Sequence, residues 1–166
     1  FTHTYQFMDE DGNLIADIQE QILSANETLT EPKSPTKDHA VFEGWYTAQN
    51  GGEKFNKFGQ QEPELKESVT TTLYARFTTV YYVYYKAGSQ ADSKVLFTQT
   101  YHDGSAKIVT SDVPFTPEST EEALVGWTTV AGGKEPETSL VINKDDVTLY
   151  PVVKKAHWLN YHSMGG

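Results

Sequence analysis

The chain has 166 residues, a formal net charge of −10 and no cysteine. That charge is unsuited to nucleic acid or an anionic membrane surface, both held by Lys and Arg, and the missing thiols exclude disulfides, thiolate metal sites and a cysteine nucleophile. Ten Tyr, eight Phe and three Trp must supply much of the core volume, and no apolar run approaches the roughly 18 residues of a membrane helix.

The opening FTHTYQFMDE lacks the charged-then-apolar pattern of a signal peptide. The closing YHSMGG carries no anchor or sorting signal, so the sequence reads as an excerpt of a longer protein. Thr4–Met8 predicts a first strand that turns at DEDGN, where Asp-Gly signals a type I′ hairpin. The same stretch imitates a calcium loop, with Asp9 at position one and Glu20 at position twelve. Position six, where such a loop needs glycine, is Leu14. In LIADIQEQIL, Leu14, Ile18 and Ile22 recur at helical spacing. The later segment KVLFTQTY alternates instead, and because the two are equivalent both are read as strands. A proline-rich linker, EPKSPTKDH, is expected to hold one short helix. VFEGWYTAQNGG then predicts a strand and a glycine loop, FNKFGQQEPELKES a segment that holds the extra residues of this copy, and TTLYARF a closing strand rich in β-branched and aromatic residues.

This plan repeats. PTKDHAVFEGWYT (35–47) aligns without gaps on PESTEEALVGWTT (117–129). Gly51 and Gly52 correspond to Gly132 and Gly133, and TTLYARF (71–77) corresponds to VTLYPVV (147–153). Gly44, Trp45, Leu73 and Tyr74 thus recur as Gly126, Trp127, Leu149 and Tyr150, and are read as a structural signature with Trp45 as core anchor. In the second linker, DVPFTPESTEE, Asp112 and Thr116 are helix-cap candidates. Phe7, Tyr84 and Tyr161 align in the opening strands. The predicted organisation is repeat 1 at residues 1–78, repeat 2 at 79–155, and the first strand of a truncated third repeat at 156–166. With this alignment Tyr82 and Tyr84 face the core. Tyr81, Val83 and Tyr85 then face outward and are expected to contact a neighbouring repeat or a partner.

PTKDHAVFEGWYTAQNGGEKFN followed by TTLYARF resembles the Listeria–Bacteroides repeat, the B-repeat of internalin-type surface proteins. That pattern runs Pro-Thr-x-x-Gly-Tyr-x-Phe-x-Gly-Trp-Tyr, Gly-Gly, then Thr-Thr-Leu-Tyr-Ala-x-Trp/Phe. His39-Ala40 replaces the usual Gly-Tyr. In the second copy Thr128 replaces the Tyr, and TLYPVV the closing motif. The resemblance implies a strand-rich α+β, β-grasp-like (ubiquitin-like) fold in each repeat. It also implies a place in secreted or wall-anchored bacterial proteins, where such repeats act as spacers and occasional interaction modules.

Catalytic constellations are poor. The five histidines form neither HxxxH nor HExxH, there is no GxSxG elbow, and no phosphate-binding glycine loop opens a helix. No motif marks a Lys–Asn isopeptide bond. The expectation is therefore a module without catalytic residues, metal or cofactor. It would lie outside the cell as a spacer, with adhesion to a host or cell-surface protein superimposed. Its partners would be neighbouring repeats and a protein or glycan, with no nucleic acid and no membrane insertion. Tyr46, Phe55 and Phe58 join Tyr81, Val83 and Tyr85 as contact candidates. The alternative is a carbohydrate-binding module, using Trp45, Tyr46, Phe55 and Phe58 as a stacking platform, or an accessory segment of a secreted hydrolase.

Overall fold

The computed structural model describes residues 1–109 and 112–156. Regular structure there consists of strands: β1 (His3–Met8), β2 (Gln21–Leu23), β3 (Ala40–Tyr46), β4 (Val69–Thr79), β5 (Tyr81–Lys86), β6 (Val95–Tyr101), β7 (Gly104–Ala106), β8 (Glu122–Thr128), β9 (Leu140–Ile142) and β10 (Val147–Lys155). The chain divides into two units, one spanning Phe1–Thr79 and one beginning at Val80. The first holds a sheet in the order β2-β1-β4-β3; the second holds a sheet β6-β5-β10-β8 and a ribbon β7-β9. In each, the first and last long strands run parallel at the centre and the outer strands are antiparallel to them.

The expected α+β, β-grasp-like repeat is corrected by this architecture, because no helix occurs among the described residues. Pro32 and Pro35 in the first linker, and Pro114 and Pro117 in the second, each hold the preceding residue out of the helical region and remove an amide donor. Asp112 and Thr116 accordingly cap no helix. Apart from an isolated bridge from Leu14 to Met8, the segment 14–23 contributes only the three residues of β2 to the sheet. Its apparent helical period joins a buried Ile18 to Leu14 and Ile22, both exposed. The DEDGN turn differs as well: Gly12 alone has positive φ (82°), whereas a type I′ turn requires it at both central residues. Asp9 Oδ1 accepts from the amides of Asp11 and Asn13 and closes the turn. The third-repeat strand lies outside the described residues beyond Ala156.

Pairing of the two central strands corrects the facing of β5. Phe7 lies opposite Leu73 in the first sheet, and Tyr85 lies opposite Leu149 in the second. Leu73 and Leu149 are equivalent, so Phe7 matches Tyr85 rather than Tyr84. A slip of one residue exchanges the two faces of a strand. Val83 and Tyr85 are therefore fully buried core residues, and Tyr81 packs against that core from its margin. Tyr82 and Tyr84 lie on the opposite face, their rings 6.0 Å apart.

Each core is built around one indole. Trp45 meets Phe7 edge-on at 5.0 Å and Phe42 at 5.4 Å. Trp127 meets Tyr85 at 4.9 Å and Phe115 at 5.9 Å in the same manner. Aromatic pairs in this geometry gain beyond the area they bury. In repeat 1 the longer segment after the glycine loop adds Phe55 and Phe58, 4.9 Å apart, over Tyr5 and Phe7.

Candidate functional site

The Gly-Trp motif works through a β-bulge. Phe42 pairs with Phe77, but the next pair is Gly44 with Arg76, leaving Glu43 as the extra residue. Repeat 2 shifts at the same place, with Leu124 opposite Val153 and Gly126 opposite Val152. Simple alternation would put Phe42 and Trp45 on opposite faces; the inserted residue restores both to the core. Gly44 has φ 132°, a conformation that favours glycine. A methyl group there would lie 2.7 Å from Lys54 Cε, and at Gly126 it would lie 2.5 Å from Pro136 Cβ. Gly51, Gly52 and Gly132 all have positive φ in the exposed turns that follow. Gly133 packs against Thr128 and Val130. Leu73 and Leu149 are fully buried, whereas Tyr74 and Tyr150 are half-buried.

The contact candidates scatter. Tyr46 is half-buried with the Arg76 guanidinium 3.7 Å above its ring, and Arg76 in turn donates to the carbonyls of Ala48 and Gly51. Phe55 and Phe58 are half-buried against the core of repeat 1. Trp45 is buried. The four residues of the expected stacking platform thus do not form one exposed surface.

A different group of residues does converge. On β1, His3 and Tyr5 share the inward face and stack with ring centroids 4.0 Å apart. Glu62, in the segment between β3 and β4, turns its carboxylate beneath them. Its Oε1 lies 2.5 Å from His3 Nδ1, and its Oε2 accepts from the Tyr5 hydroxyl at 3.0 Å. His3 Nε2 lies 2.6 Å from Thr71 Oγ1 on β4. Only 6% of Glu62 is exposed, and these partners offset the desolvation of its charge. Burial, and then the hydrogen bond to Glu62 and its negative charge, push the Tyr5 phenol up to about 12. Beside the cluster lies a pocket of about 520 Å3 whose wall includes His3, Tyr5, Lys57, Gln60, Gln61 and Glu62. The order hydroxyl, imidazole, carboxylate is that of a nucleophilic triad, but Thr71 contributes nothing to the pocket wall. The observed arrangement satisfies a buried carboxylate.

Repeat 2 has no counterpart of this cluster. The strand registers match His3, Tyr5 and Thr71 to Tyr81, Val83 and Val147. The bridge Thr28 to Gln61 matches Ser105 to Val141, which places Glu62 at Ile142. Sequence reasoning missed the cluster because its members are 57 to 68 positions apart. The available signal was the polar-to-apolar change between copies, but the insertion before Glu62 blurred that alignment.

Comparison with known proteins places the chain. Residues 3–76 match the Listeria-Bacteroides repeat domain. Over 56 residues the chain is 41% identical to internalin H of Listeria monocytogenes serovar 1/2a, which covers 34% of this chain and 10% of internalin H. The chain therefore spans about a tenth of that relative's length. Among solved structures, Streptococcal High Identity Repeats in Tandem (SHIRT) domains 3-4 from a cell surface protein align over 94% of this chain and 98% of theirs. They do so at 12% identity with a TM-score of 0.29, a likeness too slight to argue from. Its first repeat is thus a Listeria–Bacteroides repeat, and through it the chain is similar to a bacterial surface protein, internalin H.

Proposed function

We propose that the two repeats form a non-catalytic spacer in a secreted or wall-anchored surface protein, holding a neighbouring segment away from the cell. The supporting observation is the parallel pairing of β1 with β4 and of β5 with β10. Parallel first and last strands make the chain enter a repeat at one end and leave at the other, so each repeat adds length instead of doubling back. A four-stranded sheet with one buried tryptophan gives each unit its own core, to which the ribbon β7-β9 adds in repeat 2. Adhesion to a host or cell-surface protein is the accompanying role, with the outward sheet face carrying Tyr46 and Tyr74 in repeat 1 as its contact surface.

Small-angle scattering on chains with one, two and four repeats tests the spacer role. The maximum dimension is expected to rise by a constant increment per repeat. A dimension that grows only as the cube root of mass would overturn the reading.

A further inference from the structure

We propose that the pocket over Glu62 in repeat 1 is a binding site for one pyranose-sized polyol, a neutral sugar residue. The proposal begins from a contrast inside the chain. Repeat 2 fills the equivalent place with Ile142, Val83, Val147 and Tyr81 and has a complete core there. The fold thus does not require a buried carboxylate, and burying one is costly next to an apolar alternative. A function other than folding accounts for keeping it.

The chemistry of the wall selects the ligand. An ionised carboxylate offers roughly four lone-pair directions, and His3 and Tyr5 account for one contact on each oxygen of Glu62. The remaining acceptor capacity suits hydroxyl donors. The exposed Lys57 on the same wall brings a positive charge of opposite sign to the carboxylate, so a neutral ligand is favoured over a simple ion. Gln60 and Gln61 bring amides that both donate and accept, matching neighbouring hydroxyl groups that do the same. The volume of about 520 Å3 falls in the range of small-molecule sites. This site does not involve Trp45, Tyr46 or Phe58, and it stands independently of the spacer reading.

The test is isothermal titration of the full chain with hexoses, N-acetylhexosamines and their methyl glycosides, with ethylammonium and inorganic phosphate as charged probes. At least one neutral sugar is expected to bind with a Kd on the order of 1 mM. Gln60→Ala, which leaves the core untouched, should weaken it about tenfold without shifting the unfolding temperature. Glu62→Gln should weaken it further. Binding of the methyl glycoside identifies the terminal residue of a glycan as the source; binding of the reducing sugar alone identifies a free sugar. No heat from any neutral sugar up to about 50 mM, binding of a charged probe alone, or unchanged affinity in folded Gln60→Ala would each overturn the proposal.

Discussion

One location in the two repeats carries opposite chemistry. In repeat 1, Glu62 lies buried under His3 and Tyr5 with Thr71 behind the imidazole. In repeat 2 the same positions are Ile142, Tyr81, Val83 and Val147. Around that difference the frame is constant: the indole, the bulge before it, the central leucine and the parallel strand pair. The frame therefore specifies the repeat, while the interior beside β1 or β5 is free to be polar or apolar. A polar interior holds together only when every member is satisfied, so repeat 1 should respond sharply to single changes that repeat 2 would tolerate.

The largest expected effect tests the shared frame. Trp45→Ala and Trp127→Ala should each cost about 3–5 kcal/mol, read by calorimetry as loss of the transition belonging to that repeat alone. Next, Glu62→Ala should cost about 3 kcal/mol by leaving His3 and Tyr5 without their acceptor. The combined change His3→Tyr, Tyr5→Val, Glu62→Ile and Thr71→Val should be neutral or stabilising by about 1–4 kcal/mol. Denaturant melts of both variants would expose a fault in the comparison if the fourfold change proved as damaging as the single one. Gly126→Ala should cost about 1–3 kcal/mol through its clash with rigid Pro136. Adding Pro136→Gly, which removes the Cβ it meets, should recover part of that loss.

Alkaline pH loads both repeats, since burial also pushes up the Tyr85 and Tyr101 phenols of repeat 2. Of the three, only Tyr5 has a carboxylate among the causes of its shift. A phenol pushed up to about 12 stays protonated longer in the folded state than in the unfolded chain. Its stabilising contribution is full below the unfolded value near 10 and is lost as pH rises toward 12. Repeat 1 should lose stability across that window. Glu62→Gln, which removes the nearby charge, should lower the Tyr5 midpoint as followed by tyrosinate absorbance. The smallest effect concerns His39, a non-glycine residue with φ 56° where the family pattern has glycine. His39→Gly should stabilise repeat 1 by about 1 kcal/mol, seen as a modest rise in its melting temperature.

The sequence carried the signature of the fold well where one residue type answered one physical need. Gly44 and Gly126 with their tryptophans, and Leu73 with Leu149, stood out by repetition and occupy the core or the bulge. It carried little where chemistry was uniform: YYVYY is apolar on both faces, so only the pairing of Tyr85 with Leu149 reveals which face is inward. The helix expected in each linker failed because proline-rich connections can cross a sheet in extended form. The Glu62 cluster was invisible for a third reason, since its residues meet only after β1 and β4 have paired.

That pairing also decides how a repeat carries mechanical load. Six consecutive residue pairs join β1 to β4, from His3 with Val69 to Met8 with Tyr74. Tension applied through the two chain ends pulls these neighbours in opposite directions along their common axis. The hydrogen bonds of the ladder are then strained together in shear, whereas an antiparallel hairpin pulled from its open end would unzip one bond at a time. A molecule tethered at a cell and tugged by flow would find its resistance in the middle of the sheet.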